Sequence, residues 1–379
     1  MPKKKGAFLQ IPQGTESLHL EEALKHRKIV KQLETLYGAW GYLPVKTPVF
    51  DFFDIYQSLF PFESLNSIYR FIDREGDLLM LRSDATLFLA KQLGNILKDS
   101  DLPLRVYYAD TILRHQDKED ISNNEFFQTG AELIGIPGLS GDMEVLTLMV
   151  TTLQELKLDS ACLHIGSRRL FNSLISLKEE NNTYTDIQNK LQDALKYRER
   201  EEIISAFTET GYDKNTAKQF ADILLFIGTP EDYQAFLNKA KAEKNVPAEA
   251  EAALTHLSAV SEQLKTVFPQ QQIRIDLSEI GAQPYYSGIA FQVYLEGVAT
   301  SIASGGRYDE LLDFFGYRAP AVGFSLLQRK AEDKIHFEEP EKKPETIEVK
   351  PDNFAEAYKK AVKMRNEGKT VVFNHKRKS

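Results

Sequence analysis

The sequence predicts an α+β fold, an antiparallel sheet flanked by helices and interrupted by a long helical insertion. Three observations carry that expectation. Short strand-like runs fall into hairpins beside helix-spaced segments. A Lys/Glu-rich stretch from Ser167 to Phe268 has almost no strand signal, and the βαβ repeats that build a parallel sheet are absent.

From Thr15 to Gly41 the apolar residues Leu20, Leu24, Val30, Leu33, Tyr37 and Trp40 recur at three- and four-residue steps, which predicts one long amphipathic helix. Gly41 ends it, and Pro44 and Pro48 hold Tyr42 to Phe50 to an extended, edge-like path whose backbone can serve a partner chain. Ser67 to Asp73 and Asp77 to Arg82 form a hairpin through Arg74, Glu75 and Gly76. A helix is expected from Asp84 to Lys98. Strand pieces follow at Leu104 to Tyr108 and Thr111 to Arg114, then a polar loop over Gln116 to Asn124 and a strand over Glu125 to Ile134. Gly135, Gly138 and Gly141 make a connector, with Ser140 or Asp142 capping an apolar helix that begins near Asp142. Strand patterns resume at Ile273 to Leu277, Gly288 to Leu295 and Val298 to Ala303. After Lys330 a charged linker precedes a small strand-helix-strand appendage. The expected division is thus 1–166 and 269–335 for a discontinuous core, 167–268 for the insertion, and 336–379 for linker and appendage.

Composition narrows the function. At 379 residues, with 47 Lys+Arg against 55 Asp+Glu and a net charge of −8, the chain is a poor general neutraliser of nucleic-acid phosphates. A single cysteine, Cys162, excludes an intramolecular disulfide and a thiolate zinc cluster, and the histidines show no metal-ligand spacing, so no metal is expected. No apolar run approaches the ~20 residues that span a bilayer. The basic N-terminus lacks a signal-peptide core, and a cytoplasmic protein is expected.

In the strand Glu125 to Ile134, period two places Phe127, Thr129, Ala131 and Leu133 on one face and Gln128, Gly130 and Glu132 on the other. Glycine weakens a strand unless something approaches its backbone, so a small ligand across Gly130 accounts for it; a solvent-facing strand side is the alternative. LRSDAT (Leu81 to Thr86), LRH (Leu113 to His115) and SGGRYDELL (Ser304 to Leu312) each put polar residues at a strand end. Asp84 and Thr86 equally suit a helix start, and Arg114 a carboxylate partner such as Glu119.

Taken in order, Gly41-Tyr42 with Thr47-Pro48, LRSDAT, ILRH, EFFQTGAELIG, QPYYSG, SGGRYDELL and AVGFSL resemble the catalytic core of histidyl-tRNA synthetases, over roughly residues 8 to 330. The resemblance implies the class II aminoacyl-tRNA synthetase fold, with the first long helix and the strand after it, at Tyr42, Thr47 and Pro48, forming a dimer interface. It also implies a histidine pocket made by Asp84, Thr86, Arg114, Gln128, Glu132, Tyr286 and Tyr308. Asp84 and Thr86 suit an α-ammonium, Gln128 a carboxylate, and Glu132 with the tyrosine hydroxyls the imidazole nitrogens.

The adenylation groups depart from that pattern. Gly281 stands where the family places an arginine just upstream of Tyr285-Tyr286. Lys330 replaces its last arginine, with Arg329 one residue out of phase, and Gln116 replaces an acid. Lysine loses the bidentate fork and glycine supplies nothing. Each lost preorganised donor typically costs ~10² to 10³ in rate, so adenylation is expected to be negligible. The segment after Lys330 has room only for a fragment of an anticodon-binding domain.

A synthetase core with its pocket kept and its nucleotide clamp lost resembles the regulatory subunits of ATP phosphoribosyltransferase. That implies a non-catalytic chain without cofactors, assembled with a separate catalytic subunit into a hetero-oligomer for the first step of histidine biosynthesis. Histidine would be the feedback effector, held in the ancestral pocket or at a subunit contact, and tRNA binding is not expected. The alternatives are a divergent histidyl-tRNA synthetase and a non-catalytic tRNA-binding paralogue.

Overall fold

The computed structural model describes residues 12, 14–60, 62–115, 124–175, 182–241, 245–337, 344–350 and 353–375. Gln116, Glu119 and the linker residues 338–343 lie outside them. Two compact units are present, 1–335 and 336–379.

The first unit is built on a nine-stranded sheet. Its spatial order is Leu43–Pro44, Leu104–Leu113, Glu125–Ile134, Ala321–Leu326, Ala303–Arg307, Ile289–Leu295, Ala161–Ser167, Gln272–Asp276 and Ile227–Gly228. The pairing is antiparallel except at two places, where Leu43–Pro44 runs parallel to Leu104–Leu113 and Ala161–Ser167 runs parallel to Gln272–Asp276. The α+β class holds, with a sheet more mixed than the sequence implied. A separate three-stranded sheet sets Phe50–Phe52 and Arg70–Ile72 on either side of Leu78–Leu81.

The first helix spans Leu20–Ala39 and buries Ile29, Leu33 and Tyr37. It starts later than its apolar spacing suggested, because His19 is extended and Leu20 sits at φ 47°. The pieces expected at 104–108 and 111–114 are one ten-residue strand, and the helix expected near Asp142 begins at Gly138. No strand forms over 298–302; the glycine-rich run Ala303–Arg307 is the strand instead. Its flatness explains this: a Cβ at Gly305 would lie 2.4 Å from both the Phe291 ring and the Gly323 carbonyl. Helices between Arg168 and Val267 share one apolar cluster with the sheet, in which Leu254 and Leu257 join Leu146, Met149, Phe291 and Val293.

In the second unit, Glu345–Val349 and Val371–His375 pair in parallel around the helix Phe354–Asn366. Ile347, Val349, Ala357, Ala361 and Val371 form its small core. Among the described residues, no helix is long and apolar enough to cross a membrane.

Candidate functional site

The strand Glu125–Ile134 lies between Leu104–Leu113 and Ala321–Leu326, with Gly130 opposite Tyr108 and Ser325, and Glu132 opposite Gly323. This register puts Gln128 and Glu132 on the wall of a cavity of ≈ 90 Å³, with Gly130 between them covered by the Tyr108 ring. Asp84, Thr86, Arg114, Gln128, Glu132, Tyr286 and Tyr308, the residues assigned to one pocket from sequence, all line it. Tyr108, Gln283, Tyr285, Ser304 and Ser325 complete the polar lining and were not anticipated. Tyr285 had a signal, as the neighbour of Tyr286; Tyr108 had none, because only the strand register brings it across from Gly130.

That register also corrects the reading of Gly130. A Cβ there would lie 2.4 Å from the Tyr108 ring and 2.7 Å from the Phe324 carbonyl, so the close approach comes from the protein itself and not from a ligand alone.

Asp84 both caps a helix and lines the cavity. Its Oδ1 accepts from the Leu87 amide at 3.1 Å, capping the helix Ala85–Gly94, while Oδ2 accepts from the Tyr285 hydroxyl at 2.9 Å and faces Arg114 Nη2 at 3.5 Å. Arg114 in turn donates through Nε to the Ser83 carbonyl at 2.6 Å. The opposite end of the cavity belongs to Glu132, which is 1% exposed and accepts from Thr86 Oγ1 at 2.7 Å and from the Tyr308 hydroxyl.

Burial pushes the Glu132 carboxyl up to about 8; the Tyr308 and Thr86 donors work against that rise and the Asp84 charge adds to it. Burial together with nearby carboxylates also holds the phenols of Tyr108, Tyr285, Tyr286 and Tyr308 well above their ordinary value, so all four stay neutral. The cavity therefore offers an anionic end at Asp84 beside a cation, and a neutral carboxyl end ringed by hydroxyls. It suits a small zwitterion with a polar, proton-exchanging side chain.

A stability prediction follows from Glu132. Its folded value lies above its ordinary 4.5, so the folded chain keeps a proton that the unfolded chain loses. The stabilisation is complete below about pH 4.5 and is lost as pH rises through about 8. In thermal melts of wild type and Glu132→Gln, the advantage of the variant should widen from pH 5 to pH 8 and then level off. A constant difference would show that Glu132 is ionised throughout.

The positions expected to have lost a nucleotide clamp are occupied in other ways. Gly281 has φ +78°, and a Cβ there would stand 2.2 Å from Tyr286 Cδ2, so no larger side chain fits without moving Tyr286 out of the cavity wall. Lys330 Nζ donates to Thr300 Oγ1 at 2.7 Å. Arg329 donates to both carboxylate oxygens of Glu16 and to Glu332 Oε2 at 2.6 Å, which commits its guanidinium to two acids. Gln116 lies outside the described residues.

Of the three residues expected at a dimer contact, Tyr42 and Thr47 turn inward, 1% and 3% exposed. The Tyr42 hydroxyl donates to Glu144 and Thr47 Oγ1 accepts from Arg82. Pro48 is exposed, and beside it Leu43, Val49 and Phe50 are at least half exposed, so the outward side of this segment is apolar.

Sheet, helices and cavity together define a class II aminoacyl-tRNA synthetase-type core built around a small polar cavity. Residues 14–330 match the family described as "Histidyl-tRNA synthetase". The ATP phosphoribosyltransferase regulatory subunit of Moorella thermoacetica is 30% identical over 84% of this chain and 80% of its own length. That of Bacillus pumilus is 30% identical over 91% of this chain and 86% of its own. In fold, the chain is similar to the crystal structure of an ATP phosphoribosyltransferase regulatory subunit/histidyl-tRNA synthetase from Bacillus halodurans, with a TM-score of 0.83, 24% identity and coverage of 97% and 93% of the two chains. The chain belongs to the family of ATP phosphoribosyltransferase regulatory subunits, paralogues of histidyl-tRNA synthetase.

Proposed function

We propose that this chain is the non-catalytic regulatory subunit of an ATP phosphoribosyltransferase, that it assembles with a separate catalytic subunit, and that histidine in the Glu132 cavity is its feedback effector. The observation that carries this reading is the contrast between the two halves of the ancestral site. The residues suited to histidine converge on one cavity, while Gly281, Arg329 and Lys330 are respectively packed shut, paired with acids and turned to Thr300.

In this reading Asp84 accepts from the α-ammonium, Gln128 and Arg114 hold the carboxylate, and Glu132 with the tyrosine hydroxyls takes the imidazole. Hydrogen bonds of this kind to charged groups are worth about 1.5–3 kcal/mol each, enough for a small ligand to be held by a few of them. Feedback then requires only that histidine bind one quaternary state better than the other, with a coupling of ~1–3 kcal/mol. Self-association uses the exposed apolar side of the segment at Leu43 and Pro48 to Phe50.

Co-expression with the short catalytic subunit should give a stable mixed complex whose phosphoribosyl transfer falls as histidine is added. Separate elution, with transfer indifferent to this chain, would refute the proposal. Histidine-dependent exchange of pyrophosphate into ATP by the lone chain would instead mark a working synthetase.

A further inference from the structure

The strand Ala303–Arg307 separates two sites. Its even-numbered residues, with Gly306 beside Gly323 and Glu132 in cross-strand register, face the cavity described above, and Tyr308 continues that face. Arg307 points the other way, into a second cavity of ≈ 310 Å³ lined by Asp142, Ser167, Arg169, His256, Arg307 and Asp309, among others.

Arg307 is 5% exposed and fully engaged there. Nε and Nη2 donate to Asp142 Oδ1 at 2.8 and 2.7 Å, Nη1 donates to Asp309 Oδ1 at 2.9 Å, and Nη2 also donates to the Gly138 carbonyl at 3.0 Å. Its own carbonyl accepts from the Ser287 amide at 2.7 Å, so the segment bearing Tyr285 and Tyr286 hangs on the same residue. Asp142, 1% exposed, spends its other oxygen on His256 Nε2 at 2.6 Å. His256 belongs to the helix Ala248–Val267, inside the Lys/Glu-rich helical segment.

We infer that Asp142, Arg307 and His256 form a joint that couples the occupancy of the Glu132 cavity to the helix Ala248–Val267, with His256 acting as a positioning residue for the cavity from outside it. The inference rests on the reading of that cavity as a histidine site and adds a route by which occupancy is transmitted. Its physical basis is continuity. A ligand that competes for Glu132 displaces the Tyr308 hydroxyl, and Tyr308 is the immediate neighbour of Arg307. A guanidinium held by two carboxylates and the Ile136 and Gly138 carbonyls cannot shift without dragging Asp142, and Asp142 grips the helix through His256. The second cavity leaves the imidazole room to move, while Ala253, Leu254 and Leu257 beside it on the helix are buried.

Hydrogen exchange and calorimetry on the full chain test the joint. Histidine should raise amide protection in Ala248–Val267 of the wild type. His256→Ala should abolish that rise and weaken histidine binding about tenfold, within the ordinary range of allosteric coupling. His256→Gln, whose amide still donates to Asp142, should recover most of both. Glu249→Ala cuts the exposed pair between the same helix and Arg169, and should change neither. Unchanged protection in a wild type that binds histidine overturns the joint, as does a His256→Ala variant that behaves like wild type. Should the wild type bind no histidine, the pocket reading fails, and the joint is judged on Glu132→Gln alone. That variant should alter protection of the helix with no ligand present, and no alteration overturns the coupling.

Discussion

Replacing Arg82 by alanine should destabilise the first unit by about 3–5 kcal/mol, the usual consequence of removing one partner from a buried ionic cluster. Arg82 is 2% exposed. Nη1 donates to the Thr47 carbonyl and hydroxyl at 2.9 Å each and to Asp110 Oδ2 at 3.1 Å, while Nε and Nη2 donate to the Thr111 carbonyl at 3.0 and 2.7 Å. Alanine would strand these acceptors in a space that water fills poorly, and unsatisfied buried groups are the expensive kind. The same guanidinium ties the extended segment at Thr47 to the strand Leu104–Leu113, and the backbone two residues on carries Asp84 into the cavity. Arg82→Lys keeps the charge but not the planar fork, and should fall between wild type and alanine. Urea unfolding would read both as a lowered midpoint; a loss under about 1 kcal/mol for alanine would mean that water replaces the lost donors.

Arg82 illustrates what the sequence made legible and what it did not. LRSDAT marked a strand end with polar groups, and the neighbouring Asp84 and Thr86 do reach the cavity. Nothing in the sequence told Arg82, an internal brace, from a group that faces a ligand, because burial depends on which distant segments close over it. The strand Glu125–Ile134 was readable for the opposite reason: alternation is local, and its bounds match the structure. Its neighbours were not readable. Tyr108 meets Gly130 only through a register spanning more than twenty residues, and Gly323 meets Glu132 only once Ala321–Leu326 returns to the sheet. The interior strand Ala161–Ser167 was missed although its first five residues alternate buried and half-buried, because Cys162 and Gly166 give little polar contrast to Ala161, Leu163 and Ile165. The two-residue strand Ile227–Gly228 carries too few residues for any period to show. The extended path after the first helix was readable from its prolines, yet the inward turn of Tyr42 and Thr47 follows from partners, Glu144 and Arg82, that only the fold supplies.

If the Glu132 cavity is the histidine site proposed above, Gly323→Ala should lower histidine affinity by at least ~100-fold through a single methyl group, the loss of one or two charge-assisted hydrogen bonds. A Cβ at this position would lie 1.6 Å from Glu132 Oε2, 2.4 Å from its Cδ and 2.7 Å from the Ala131 carbonyl. Real Cβ atoms do not approach so closely, so either the strand or the carboxyl must yield. The strand is paired on both sides and resists. The carboxyl can leave only by giving up the Thr86 and Tyr308 donors, which are its compensation for burial. Overpacking of this kind usually costs about 1–3 kcal/mol of stability, so the variant should still fold while its cavity no longer presents Glu132 to an imidazole. A double-mutant cycle separates the two effects. In a Glu132→Ala background the clash with the carboxyl vanishes, and Gly323→Ala should then cost less stability than it does in wild type, with binding equally absent in both. Equal stability costs in the two backgrounds would mean that the Ala131 carbonyl, and not Glu132, is what the glycine accommodates. Histidine titrations of Gly323→Ala that match wild type would place the effector outside this cavity.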